Sequence, residues 1–241
     1  MSRIARILVF TLRALLMPVA VASAEQRDPP LAFEENRGQT DPEVLFLSSA
    51  PGHEVFLTLA EAVLAPSGAG GALHLRWLEA DPAPRVVTEG ELPAAPYNLL
   101  ENETGWRQSV GRRWSRVRLE GLWPGIDLVF YGNPEQLEHD FLVAPGADPG
   151  RIILALDGVE QARIDDAGDL VATLEIAGEV RLQRPVAYQE VDGRRREVPC
   201  RYRMLPGPQL GFVLEDWDRS RPLVIDPVVV GPASWKKTPE V

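Results

Sequence analysis

Short apolar runs, each ended by glycine or proline, constrain the fold of this chain more than any other feature. The 241 residues include 20 glycines and 22 prolines, and no segment after residue 24 keeps the apolar period of a helix. Apolar and polar residues alternate instead, which is the pattern of half-buried β-strands. The sequence therefore predicts an all-β, antiparallel, sandwich-like meander of many short strands, with two packed sub-sheets as one arrangement of them.

Residues 114–143 show this pattern most clearly and predict three strands joined by two turns. A turn at residues 132–135 would place Asp127 opposite Asp140 and sort the hairpin onto an apolar and a polar face. The apolar face then holds Leu128, Phe130, Leu137, His139, Phe141 and Val143, and the polar face holds Asp127, Val129, Glu138 and Asp140. On the apolar face, His139 is expected to be a hydrogen-bonded core histidine.

The carboxylates of Asp127, Glu138 and Asp140 allow two interpretations. They could be the acid and base of a glycoside hydrolase or the ligands of a hard cation. Alternatively, Arg116 and Arg118 on the preceding strand neutralise them in ion pairs, and this second interpretation is favoured because opposed carboxylates need such compensation. The three remain candidate ligand-binding residues, and no catalytic residue, metal site or cofactor is predicted.

A polar loop near the start of the globular part supplies the other candidates. Residues 34–41 contain Asn36, Arg37 and Gln39 between two apolar segments, and Gly38 favours an ordered turn there. These side chains could bind a ligand, although residues of this type in loops often hydrogen-bond their own backbone first.

The N-terminus has the layout of a secretory signal peptide. Arg3 and Arg6 precede an apolar run over residues 7–22, and the small residues 22–24 form a cleavage site before Glu25. We expect residues 1–24 to be the signal peptide, 25–30 a spacer, 31–230 the all-β domain and 231–241 a tail. The predicted location is secreted, periplasmic or at the cell surface.

Charge and cysteine content exclude some functions. The net charge is −10, and an acidic chain repels phosphate backbones, so nucleic-acid binding is not expected. No segment of the mature chain is apolar over the length of a transmembrane helix. The single cysteine, Cys200, excludes an intrachain disulfide and is expected to be a small buried hydrophobic residue.

Several local predictions follow from turn chemistry. Asp192-Gly193 predicts a two-residue hairpin that pairs Glu190 with Arg195 and Ala187 with Val198. Residues 165–169 predict a turn between strands and lack the spacing of a calcium loop. An edge strand is expected at residues 86–88, and single strands at 194–205 and 222–230.

Six segments in order resemble an all-β domain without assigned activity, found at the N-terminus of large secreted bacterial proteins that continue into seven-bladed β-propeller (SBBP) repeats. They are FEENRGQTDPEVLFL, WPGIDLVFYG, LEHDFLVAPGADP, GDLV, RPVAYQEVDGRRREV and RPLVIDPVVV. The similarity covers residues 31–230 and implies an exported, non-enzymatic module. Residues 97–101 depart from the family. The family continues after Pro227 into its propeller repeats, whereas here residues 231–241 read GPASWKKTPEV.

Three hypotheses follow from these observations. The first is an exported interaction or structural module that contacts protein or glycan at the cell surface. The second is a carbohydrate-binding or carbohydrate-active domain that combines the acidic face with exposed Trp106, Trp114 or Trp123. The third is a truncated form of a longer repeat protein, in which residues 222–230 would present an edge open to self-association.

Overall fold

The computed structural model describes residues 30–50, 52–66, 71–94, 96–98, 108–133, 136–176 and 178–230. Antiparallel strands and one short 3-10 turn account for the regular structure of these residues, and no α-helix occurs among them. The all-β prediction is confirmed. The predicted signal peptide, the C-terminal tail and Trp106 lie outside the described residues.

The strands are short in both halves of the chain. Those of the first half are β1 (Phe33–Glu35), β2 (Phe46–Ala50), β3 (His53–Leu57), β4 (Glu61–Pro66), β5 (Leu73–Trp77), β6 (Arg85–Leu92), β7 (Pro96–Asn98), β8 (Gln108–Val110), β9 (Arg113–Trp123), β10 (Ile126–Asn133) and β11 (Gln136–Val143). The 3-10 turn η1 (Pro149–Arg151) precedes the second half. Its strands are β12 (Leu154–Asp157), β13 (Val159–Ile164), β14 (Leu170–Leu174), β15 (Gly178–Leu182), β16 (Val186–Val191), β17 (Arg194–Val198), β18 (Cys200–Leu205), β19 (Gln209–Leu214), β20 (Leu223–Asp226) and β21 (Val228–Val230).

One large, nearly closed and barrel-like sheet contains every described strand except the β7–β8 pair, in place of two separate sub-sheets. From β9 it runs in one direction through β10 and β11 to β20 and β21. β1 pairs with the start of β9 along the same edge as β10, and β6 pairs with the opposite edge. From β1 the sheet runs through β2 to β5 and on to β12, β19 and β18. β13 lies close to β18 where the two ends of the sheet meet, but no ladder joins the described residues of these two strands.

The Asp192-Gly193 hairpin has the predicted register, with Glu190 opposite Arg195 and Ala187 opposite Val198. Asp192 and Gly193 both have positive φ, 52° and 72°, as a two-residue turn of this type requires. Two positive-φ residues fix both the turn and the pairing that follows from it.

The predicted register of the central hairpin is wrong by two residues. Asp127 pairs with Leu142, and Asp140 pairs with Val129. The ladder continues to Asn133 and Gln136, so Gly132 lies within β10 rather than in the turn. A two-residue shift keeps every side chain on its own face, and the predicted faces are therefore confirmed although the partners differ.

Proline divides two segments that were predicted as single strands. Pro199 separates β17 from β18, and Pro227 separates β20 from β21, because proline has no N–H to donate to a ladder. The segment 222–230 is also not an edge. β20 lies between β11 and β16, and β21 lies between β11 and β15, so the expected exposed edge is absent there. The predicted edge strand at residues 86–88 is longer, as β6, and pairs with β9.

The inner face of the sheet encloses an aromatic core. Ring centroids follow one another from Trp77 to Phe130 at 5.9 Å, to His139 at 6.1 Å, to Phe141 at 5.6 Å and to Phe212 at 5.4 Å. His139 is buried as predicted, but neither ring nitrogen has a hydrogen-bond partner among the described residues. Burial lowers the pKa of His139 to about 4, so the ring is neutral near pH 7 and packs as an aromatic side chain.

Cys200 is half-buried and packs against this core. Burial raises the pKa of its thiol to about 12, which keeps it protonated and unreactive near neutral pH. The residue packs as the small apolar side chain that the sequence predicts, but it is half-buried rather than fully buried.

Candidate functional site

The outer face of β9, β10 and β11 brings together part of the predicted acidic set. Glu138 and Asp140 lie two residues apart on β11 and therefore point to the same side of the sheet. Asp127 lies on the same face but opposite Leu142, near the end of the hairpin that is away from its turn. The structure thus groups two of the three candidate carboxylates and separates the third.

Asp127 is held by the groups around it. Its Oδ2 accepts a hydrogen bond from Nε of Arg118 at 3.2 Å and forms an ion pair with the same guanidinium. Its Oδ1 accepts a hydrogen bond from the backbone N–H of Gly121 at 2.7 Å. The favoured ion-pair interpretation is confirmed for this residue, and the carboxylate serves to fix the bulged end of β9.

Asp140 is the most buried carboxylate of the face, with 7% of its surface exposed. Tyr131 donates a hydrogen bond from its hydroxyl to Oδ1 of Asp140 at 2.9 Å. Burial, followed by the negative charge of Asp226, raises the pKa of Asp140 to about 6. The group therefore gains or loses a proton close to neutral pH.

Asp226 completes the cluster and was not predicted. The β11–β20 ladder pairs Phe141 with Ile225, so the next positions along it place Asp140 beside Asp226 on the outer face. Burial raises the pKa of Asp226, and Oδ1 of its carboxylate is buried without a hydrogen-bond partner among the described residues. Burial and the charge of Asp226 also raise the pKa of Glu138.

Two arginines border this cluster, and neither forms an ion pair with it among the residues that the structure describes. The guanidinium carbon of Arg116 lies 4.8 Å from the ring centroid of Tyr131, and that of Arg195 lies 4.2 Å from the ring centroid of Tyr188. Their charges lower the pKa of Asp140 and Asp226 respectively, against the larger effect of burial. Adjacent carboxylates in this setting favour sharing protons over both being ionised.

Loop residues 36–39 form a separate feature that hydrogen-bonds mainly within itself. Nδ2 of Asn36 donates to the carbonyls of Asp41 at 2.7 Å and Val44 at 2.9 Å, and its Oδ1 accepts from the N–H of Gly38 and Gln39. These bonds occupy the whole amide in closing the loop.

The other two loop candidates also have partners close by in the chain. Arg37 forms an ion pair with Glu35, and Gln39 donates to Oε1 of Glu34 at 3.0 Å. Asn36, Arg37 and Gln39 thus lie together, apart from the carboxylates of the hairpin.

Two of the tryptophans proposed as sugar contacts, Trp114 and Trp123, are not exposed. Trp114 is 8% and Trp123 is 1% exposed, and Nε1 of Trp123 donates to the carbonyl of Leu78 at 2.9 Å. Both pack in the core, so neither offers a face to a ligand. Their positions next to turns suit aromatic side chains that anchor strand ends.

Two further features concern metals and membranes. Among the described residues, no group of three or more histidine, cysteine, aspartate or glutamate side chains is arranged to hold a metal ion. The predicted turn at 165–169 is confirmed, since Asp165 accepts hydrogen bonds from the backbone of Ala167 and Asp169 and pairs with Arg181.

Within the same described part of the chain, no helix has the length and apolar character needed to span a bilayer.

Comparison with known proteins identifies the family. Residues 33–228 match a domain of unknown function, DUF7948. The chain belongs to the DUF7948 family. No curated protein and no solved structure matches it. The DUF7948 match begins at β1 and ends in β21, so it spans the whole nearly closed sheet.

Proposed function

We propose that this DUF7948 protein is an exported, non-enzymatic β-domain that acts as an interaction or structural module at the cell surface or in the extracellular space. The observation that carries the proposal is that most candidate polar groups already bind within the fold. Asn36 closes its own loop, Asp127 holds Arg118, and Asp140 accepts from Tyr131. Side chains that are bonded within the fold in this way stabilise a rigid surface and are not arranged to bind a substrate.

Export is supported by the basic and apolar N-terminal segment and by the small residues at 22–24. The resemblance to domains that precede SBBP repeats in secreted bacterial proteins supports the same location. In this proposal the domain displays its outer sheet face to protein or glycan partners outside the inner membrane.

Cell fractionation of the full chain with a C-terminal tag tests this location. We expect a processed chain that begins at Glu25, recovered from the periplasm, the surface or the medium. A control with Arg3→Glu and Arg6→Glu removes the basic N-terminal region and should stay in the cytoplasm unprocessed. Recovery of the unchanged chain in the cytoplasm with residues 1–24 intact would contradict the proposal.

One observation favours a second candidate, a carbohydrate-binding or carbohydrate-active domain that uses the acidic face. Asp140, with a pKa of about 6, lies beside Asp226, and a buried carboxyl next to a second one can act as a general acid. A glycan panel should then detect binding or hydrolysis by the wild type and its loss in Asp140→Asn. Asp127→Asn is the matched control because its carboxylate is held by Arg118. Absence of both binding and turnover across the panel eliminates this candidate.

A further inference from the structure

A groove of about 500 Å³ is lined by residues that take no part in the acidic cluster. Its floor is β19, and its walls are the turn around η1 and the loop that follows β19. Arg203 of β18, together with Trp217 and Arg219 of the loop, lines it. Its volume is within the range of small-molecule sites, roughly 300 to 1,000 Å³.

The groove lining carries a net positive charge in an acidic protein, since its described residues include two arginines and a single carboxylate, and two carboxylates close by in the sequence form ion pairs. Asp218 pairs with Arg221 at 3.2 Å, and Glu215 pairs with Arg201 at 4.0 Å. Asp148, the one acidic residue among the described residues of the lining, accepts a hydrogen bond from the N–H of Gly150 at 2.9 Å.

The two arginines of the lining differ from these pairs. Within the described part of the chain, neither Arg203 nor Arg219 forms an ion pair with a carboxylate. The guanidinium carbon of Arg219 lies 5.8 Å from the ring centroid of Trp217, and both arginines are exposed. Two guanidinium groups are thus left for an anionic ligand, and a guanidinium can bind a carboxylate through two hydrogen bonds.

Trp217 supplies an aromatic surface beside these charges. It is half-buried and packs against the hydrophobic core, while it also lines the groove. The negative face of an aromatic ring suits the slightly positive C–H groups on the face of a sugar ring. A ligand that contains both a sugar ring and a carboxylate would use all three side chains.

A buried glutamine holds the loop that carries Trp217 and Arg219. Gln189 of β16 is 1% exposed. Its Nε2 donates to the carbonyls of Asp218 at 2.8 Å and Pro222 at 3.2 Å, and its Oε1 accepts from the N–H of Asp218 at 2.8 Å. The N–H of Gly146 also donates to the carbonyl of Arg219 at 2.8 Å. The loop is therefore fixed before any ligand arrives, which lowers the entropic cost of binding.

We propose that this groove binds an acidic saccharide, with Arg203 and Arg219 on the carboxylate and Trp217 against the sugar ring. The inference rests on the proposed function as an interaction module and assigns that module a ligand class and a site. Gln189 acts as a positioning residue through the loop and does not contact the ligand.

Calorimetric titration of the purified full chain with a short oligogalacturonate tests the proposal. We expect the uronate to bind and a neutral oligosaccharide of the same length not to bind. The double variant R203Q/R219Q should weaken uronate binding by at least about tenfold, since it removes charge-assisted hydrogen bonds. Trp217→Leu should weaken it as well.

The matched control is R194Q/R196Q, which removes the same charge from the exposed hairpin end of β17. This control should leave binding unchanged, and near-ultraviolet circular dichroism should show that all variants are folded. Equal weakening in the control would mean unspecific attraction to a polyanion and would overturn the site. Equal binding of the neutral sugar would overturn the role of the carboxylate.

Two competitor arms separate other anions from acidic sugars. Inorganic phosphate that competes as well as the uronate would identify a simple anion site, and a peptide with a C-terminal aromatic residue that binds in place of the uronate would identify a peptide site. Either result overturns the proposal, as does the absence of uronate binding by the wild type.

Fractionation of R203Q/R219Q keeps the two proposals distinct, because export does not depend on the groove. An exported chain without uronate binding refutes only this inference, and a cytoplasmic chain that binds uronate refutes only the proposed function.

Discussion

His139 and Asp140 are consecutive residues of β11 on opposite faces of the same strand, and both are buried. His139 faces the aromatic interior, where Phe130 and Phe141 contact its ring. Asp140 faces outward, where Tyr131 donates to it and Asp226 lies beside it. The imidazole of His139 packs against aromatic rings with no hydrogen bond among the described residues, whereas the carboxyl of Asp140 belongs to a hydrogen-bonded acidic cluster.

Burial moves the two pKa values in opposite directions because it disfavours the charged form of each group. It lowers the pKa of His139 to about 4 and raises that of Asp140 to about 6. For His139 the unfolded chain binds more protons between pH 4 and 6.5, so stability is lost as the pH falls through that window. For Asp140 the folded chain binds more protons between pH 3.8 and 6, so stability is lost as the pH rises. The pH dependence of stability that comes from His139 therefore opposes the one that comes from Asp140 near pH 5.

The largest expected loss of stability comes from a substitution on the inner face. Phe141→Ala removes a ring that contacts His139 and Phe212, and we expect the free energy of unfolding to fall by about 3 to 5 kcal/mol. Leu142→Ala is the matched outer-face change at a half-buried position and should cost less than half as much. Urea denaturation measures both, and equal losses would contradict the division into a packed inner and a supporting outer face.

Removal of His139 should expose the pH dependence of the outer cluster. In His139→Leu, stability should fall as the pH rises from 4 to 6, because the protonated form of Asp140 is the one that the folded state favours. The expected loss is about 2 to 3 kcal/mol. Urea denaturation at several pH values measures this, and a flat profile in the variant would contradict the raised pKa of Asp140.

Asp140→Asn should reverse that trend while it keeps an acceptor for Tyr131. The remaining His139 makes stability rise as the pH increases from about 4 to 6.5. The slope should be smaller than in His139→Leu because the pKa values of Glu138 and Asp226 are also raised and oppose it. The same series of denaturation curves checks the sign, and a fall in stability over this range would show that His139 is not the titrating inner group.

The smallest expected loss of stability is at the end of the outer face where Arg118 pairs with Asp127. Arg118→Gln removes a partly exposed ion pair with Asp127, and such pairs contribute about 0.5 to 1 kcal/mol. The loss should shrink further in 1 M salt, where exposed charges are screened. Thermal melting at low and high salt provides the measurement. A cost similar to that of Phe141→Ala would mean that Asp127, rather than the inner face, holds the hairpin.

Two hairpins show how far the sequence could predict register. Asp192-Gly193 demands positive φ at two positions, and this requirement selected one pairing, which the structure confirms. For β10 and β11 the alternation selected the faces correctly but not the partners of Asp127 and Asp140. A shift by two residues leaves an alternating pattern unchanged, so the pattern could not distinguish the two registers.

The candidate sites were predictable only where their residues share one local segment. Glu138 and Asp140 could be grouped because alternation along a single strand brings them to one face. Asp226 is nearly ninety residues away in sequence and meets Asp140 through the β11–β20 ladder, which no local pattern indicates. Trp217 and Arg219 line the same groove as Arg203 although they lie on a separate loop, which Gln189 of a distant strand holds.

The sequence by itself determined the class of the fold, the inner and outer faces of the central hairpin and the turns at residues 165–169 and 192–193. These properties depend on side-chain period and on the few residues that accept special backbone angles. The tertiary structure decided that one sheet nearly closes on itself, that β20 and β21 lie inside it, and which charges meet on its surface. Such pairings join segments far apart in the chain, and their energies depend on burial and on neighbours that only the folded protein brings together.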